Sequence, residues 1–194
     1  MKVSEGEFRP FGHPMLRFRF VNFLDYLQTS GSYDPDSGRL NLRGIVLIQD
    51  ENGSMVELGK GKPITFTGKG VLIAYGGFKI SSGIKKNPSA APDDVCVLYS
   101  LNGLTIIDTS DEIEAFIIST NPKLTDRTEP GVVEIKKPLK LFGGLAVDRL
   151  EVNNWVAGEH SIKYNPVLPP NVDAIYQIIP SPQISFQRTL ESEN

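Results

Sequence analysis

The chain has 194 residues, 40% of them hydrophobic and 22% charged, with 20 Lys plus Arg against 23 Asp plus Glu for a net charge of −3. This composition excludes disorder, collagen and coiled coil, and it lacks the basic excess expected of a nucleic-acid binder. With 18 Gly and 14 Pro, breakers recur too often for long helices, and the length suits one domain.

The first residues place Glu5, Glu7 and Arg9 where a signal peptide would carry its apolar stretch. The longest apolar runs, Ile45 to Ile48 and Val71 to Tyr75, fall far short of the roughly 20 residues a spanning helix needs. No membrane span is expected in this chain. One helical pattern occurs: Phe20, Phe23, Leu24 and Leu27 fall at i, i+3, i+4 and i+7 and would line one face of a short helix ending near Thr29. Ser30 to Arg39 is dense in turn formers.

From Leu40 the texture is β. Short apolar runs come in pairs around turn residues: Ile45 to Ile48 before Asn52-Gly53, Val71 to Ala74 before Gly76-Gly77, and Val95, Val97 and Tyr99 before Asn102-Gly103. Ala115 to Ile118 precede Asn121, and Leu145 to Val147 precede Asp148-Arg149. Turn centres at 53, 77, 103, 121 and 148 lie 24, 26, 18 and 27 residues apart, a period that suits a solenoid whose coils bury apolar faces only by stacking. Asn-Gly between alternating apolar residues is also the strongest local hairpin signal. Periodicity alone therefore favours an antiparallel sandwich or barrel over the solenoid.

Longer phrases shift that balance. Ile64 to Lys86 (ITFTGKGVLIAYGGFKISSGIKK), Val97 to Ile106, Thr109 to Ser119, Gly143 to Trp155 and Ile162 to Pro170 together resemble the C-terminal β-helical domain of bacterial type IV pilus assembly proteins of the PilX type. Related cell-envelope proteins share this domain, which is bactofilin-like in style. Leu24 to Ile48 fits the segment leading into the coils, so the resemblance runs from about Leu24 to about Phe186. It implies an all-β fold, a right-handed single-stranded parallel β-helix, with no family catalytic residues to carry over. The N-terminal pilin-like hydrophobic helix that such proteins often bear is missing from this sequence.

The expected organisation is an N-terminal segment at 1–39 with the capping helix and a turn-rich linker, a β-helix at 40–170, and a C-terminal extension at 171–194 packing on the solenoid. Leu72, Ile73, Val97, Ile106, Ile117, Ala146 and Val147 are expected to share one apolar interior.

Few residues suggest chemistry. Asp34 and Asp36, in Asp-Pro-Asp-Ser-Gly, have the opening of a calcium loop but lack its later acidic ligands, so they are weak metal candidates and read first as a turn. Asp93-Asp94 and the group Asp108, Asp111, Glu112 and Glu114 could supply paired carboxylates for glycoside cleavage, yet their turn-rich setting reads as solvated bends. His13 and His160 have no nucleophile motif nearby, and with the single Cys96 they cannot compose a His/Cys zinc site. Cys96 alternates in a strand and reads as an inert buried thiol. No cofactor is expected. The expectation is a non-enzymatic structural module of a bacterial cell surface or type IV pilus system, partnered by pilin-like subunits or by its own copies. A polysaccharide-binding or polysaccharide-cleaving β-helix is the alternative function, and the cytoplasm the alternative location.

Overall fold

The computed structural model describes residues 16–19, 33–34, 36–49, 54–101, 103–121, 130–151 and 155–166. The apolar runs form short strands, because β-branched and aromatic residues alternating with polar ones fit a half-buried pleated surface. One group of strands comprises β1 (Leu16–Arg19), β2 (Tyr33–Asp34), β3 (Arg39–Gln49), β5 (Ile64–Ala74), β7 (Ile84–Lys86), β8 (Val95–Ser100), β10 (Glu112–Ser119), β12 (Lys140–Val147) and β13 (Ser161–Tyr164). These build a nine-stranded sheet. The others, β4 (Val56–Leu58), β6 (Phe78–Ile80), β9 (Leu104–Ile107) and β11 (Val132–Ile135), build a second sheet of four.

Among the described residues every strand pair is parallel except the β2–β3 hairpin at Tyr33 to Leu40. Strands adjacent in sequence across a corner do not pair: β5 bonds to β3, β7 and β8 rather than to β6, and β8 bonds to β5 and β10 rather than to β9. The chain is therefore an all-β parallel β-helix, and the antiparallel sandwich and its hairpins are set aside. Side-chain contacts between neighbouring coils commonly span 21 to 29 residues, as in Thr120 to Tyr99 and Lys137 to Asp108, close to the period in the sequence.

Stacking creates ladders of like residues. Val46, Leu72, Leu98, Ile117 and Leu145 are successive register partners in the large sheet, while Leu58, Ile80, Ile107 and Ile135 form a ladder in the smaller one. Both ladders enter one core cluster. Burying each such side chain contributes about 1.5–3 kcal/mol. At one corner the interior turns polar: the buried hydroxyls of Ser100, Thr105 and Ser119 form a chain of hydrogen bonds, 2.7 and 2.5 Å long, which satisfies groups that would otherwise be costly to bury.

The expected single interior needs correction. Leu72 and Ile117 lie in the core and Val147 packs against it half-buried. Val97 belongs to a separate cluster, Ile73 is buried on the face opposite Leu72, and Ile106 is half-buried between the fully buried Thr105 and Ile107. Ala146 is also half-buried. Alternation is the reason: consecutive strand residues point to opposite faces, so an apolar pair cannot both face inward. The stretch before residue 40 also holds β1 and β2, which the helix-and-linker expectation omitted. The helix expected over Phe20 to Leu27 and the 171–194 extension lie outside the described residues.

Candidate functional site

Asp34 opens a turn. Its Oδ1 accepts the amides of Asp36 and Ser37 at 3.0 and 3.4 Å, and its Oδ2 accepts the Ser37 hydroxyl at 2.6 Å and Arg39 Nη2 at 3.3 Å. The Ser37 hydroxyl foremost, with Arg39 and the two amides, holds the Asp34 carboxyl below the usual carboxylate range. Both oxygens thus serve local backbone and side-chain donors, the pattern of an Asx turn. Asp36 is exposed, and its carbonyl accepts from Lys62 Nζ. Among the described residues no three His, Cys, Asp or Glu side chains converge as a metal-binding set.

Asp108, Asp111, Glu112 and Glu114 are each engaged with a neighbouring coil. Asp108 pairs with Lys137 at 3.3 Å, Glu112 with Lys85 at 3.6 Å and Glu114 with Lys86 at 3.8 Å. Glu114 also accepts the Lys86 amide at 3.0 Å, and Asp111 the Gly83 amide at 3.4 Å. A parallel stack puts a lysine of one coil beside a glutamate of the next, and that placement makes these groups inter-coil ties. The exposed Asp108–Lys137 and Glu112–Lys85 pairs are worth little individually, while Glu114 and Lys86 are largely covered. Glu57 is tied likewise, its carboxyl held low first by the Ser81 hydroxyl and then by Lys79 and Lys60.

Two aspartates have roles that the sequence did not reveal. Asp94, expected in a solvated bend, is buried, and its Oδ2 accepts the amides of Gly68 at 2.7 Å and Ala91 at 3.1 Å. It fixes the 87–94 loop to β5 at Gly68, where φ is +86°. Asp148 Oδ2 accepts the amides of Asn121 at 2.6 Å and Gly131 at 2.9 Å, so one carboxylate ties residue 121 to residue 131. The Gly68, Asn121 and Gly131 amides are each 17 or more residues away in sequence from the aspartate they bond, and a local window carries no signal for such a bond. The Asp94–Ala91 pair is local, and only the Asp-Asp turn hinted at it.

His160 uses both ring nitrogens. Nδ1 accepts the Leu139 amide at 3.1 Å, so the neutral ring carries its proton on Nε2, which donates to the Val156 carbonyl at 2.9 Å. The ring lies 5.4 Å from that of Trp155, whose indole N–H donates to the Val133 carbonyl at 3.1 Å. These two residues lock the final coil to its predecessor. His13 lies outside the described residues.

Cys96 is buried in the core cluster, and burial first, then the Glu114 charge, pushes its thiol from 9.0 up to about 12. Burial likewise raises Tyr99, against the Thr120 hydroxyl bond and with help from Asp148. A folded acid with a raised pKa keeps its proton where the unfolded chain loses it. Stability from Cys96 is therefore complete below pH 9 and is lost progressively as pH rises toward 12, and Tyr99 acts in the same direction above its ordinary value of 10.0. Cys96 should be silent to a thiol reagent at pH 8 until denaturant is added; prompt labelling of the native protein would refute the burial.

The last described coil differs from the rest. Ile64, Ile84, Ile113, Leu141 and Ile162 are successive register partners, and the first four are buried while Ile162 is 47% exposed. Tyr164 on the same strand is 61% exposed, and Leu150 and Val156 just before it are exposed too. Among the described residues only Tyr75 joins these four as an exposed large hydrophobic. Among the described residues β13 bonds to β12 alone, so this edge of the sheet presents apolar side chains beside a strand with one described neighbour.

Comparison of this chain with known protein families, with curated proteins and with solved structures finds no match.

Proposed function

We propose that this chain is a non-enzymatic structural module that docks another protein against the open end of its β-helix. The supporting observation is the exposed end of the interior ladder at Ile162, with Leu150, Val156 and Tyr164 around it. An exposed strand edge with apolar neighbours suits strand addition, in which main-chain bonds give affinity and side-chain pockets give specificity. In the setting we propose, a bacterial cell surface or type IV pilus system, the partners are pilin-like subunits or further copies of the chain; that setting rests on the sequence resemblance. The carboxylates that a polysaccharide-cleaving reading would use are tied to lysines and amides between coils, so that reading gains no support from the geometry.

The experiment is sedimentation velocity of the full chain, alone and with pilin-like subunits, against the double variant Leu150→Ser with Ile162→Ser. Association is expected in the parent, weakened at least tenfold in a variant that melts cooperatively. Equal association, or none in either protein, would contradict the proposal.

A further inference from the structure

The large sheet buries side chains on both faces, and only one face is the interior. Leu72, Leu98 and Ile117 are register partners in the core. Their chain neighbours Val71, Val97 and Phe116 are register partners as well, and alternation turns them to the outside. With Val95 and Ile118 they form a second apolar cluster. Val97 is only 1% exposed, Val95 6% and Phe116 7%, while Ile73 and Tyr99 on the next outward rung are each 5%. A sheet face open to water does not bury aliphatic side chains so completely; another layer must lie over it.

The path of the chain points to the occupant. β13 ends at Tyr164, whose ring meets Phe116 edge to face with centroids 6.5 Å apart. The chain thus arrives at the outward cluster just before residues 167–194. Within that segment, Ala174 to Phe186 (AIYQIIPSPQISF) carries Ile175, Ile178, Ile179, Ile184 and Phe186 and no charged residue. Pro180 and Pro182 oppose a helix there and favour an extended path. At about 3.3–3.6 Å per residue an extended stretch of this length reaches ~40 Å, whereas β5, β8 and β10 at a spacing of about 4.8 Å cover only ~10 Å. The N-terminal residues are worse placed, since β1 joins the sheet beyond β3, at the opposite edge from β13.

We propose that residues 174–186 lie across the outward face of β5, β8 and β10, seated on Val71, Val97, Phe116 and Ile118, and so form an intramolecular layer over the large sheet. Tyr164 borders both this face and the open end of the solenoid, but the cover over Val71, Val97 and Phe116 does not depend on the docking role.

The test uses the full chain with the photo-crosslinker p-benzoyl-phenylalanine placed at Ile118, followed by irradiation, digestion and mass spectrometry. Crosslinks concentrated within residues 174–186 are expected. Crosslinks to residues 1–32, a crosslinked dimer, or no crosslink would overturn the proposal. A second measurement is the fluorescence of a hydrophobic dye with the full-length double variant Ile178→Asp with Ile184→Asp. It should rise several-fold as the outward face is uncovered, and an unchanged signal would overturn the proposal.

Discussion

Replacing Gly77 by alanine should cost the protein a large share of its stability, whereas the same change at Gly61 should be mild. Both glycines have positive φ, +84° and +80°, a conformation that costs an L-residue about 1–2 kcal/mol. They differ in space. A Cβ at Gly77 would fall 2.0 Å from the Leu104 carbonyl oxygen of the next coil, while at Gly61 nothing lies within 4 Å. The Gly77 carbonyl also accepts the Val56 amide of the coil before at 2.9 Å, so backbone bonding on one side opposes the movement that would relieve the clash on the other. The combined cost should reach several kcal/mol, a large share of the 5–15 kcal/mol typical of a domain. Urea denaturation of the two variants checks this, and equal midpoints would show that coils do not approach each other so closely at that corner.

The second large effect should come from Phe78→Ala. Phe78 is fully buried, with register partners Val56 in the preceding coil and Thr105 in the following one. Truncation leaves a cavity between coils that are already bonded at fixed spacing, so the expected loss is about 3–5 kcal/mol and roughly 6–20 °C in Tm. Ile106→Ala is the informative partner. Ile106 stands between Thr105 and Ile107, both fully buried, yet is itself half-buried, and its truncation should cost about 1 kcal/mol or less. A loss at Ile106 as large as that at Phe78 would contradict the inward and outward assignment in the smaller sheet.

The contrast between Phe78 and Ile106 also shows how far the sequence could be read. Turn centres near Gly53, Gly77, Gly103, Asn121 and Asp148 carry the coil period, because each coil must turn the same corners and spends glycine or a polar residue there. The parallel pairing of β5 with β8 was not available from those turns: Asn-Gly between apolar runs has the same local chemistry whether the flanking strands pair with each other or with strands a coil away. Facing was lost where apolar residues run consecutively, as at Val95 to Leu98, since a strand covered on both faces no longer alternates in hydrophobicity. That is why Val97 and Ile73 were placed with Leu72. Asp94 and Asp148 escaped because most of their bonds join residues far apart in the chain. The exposure of Ile162 was likewise invisible, since Ile162 differs from Ile64 or Ile113 in having no coil stacked beyond it among the described residues.

The most direct test of the stacked parallel coils is the pattern of interstrand nuclear Overhauser effects in solution. The account predicts parallel-type Hα to amide contacts between Val71 and Val97 and between Phe78 and Thr105, residues one coil apart. Antiparallel Hα to Hα contacts between β5 and β6, or between β8 and β9, would contradict it.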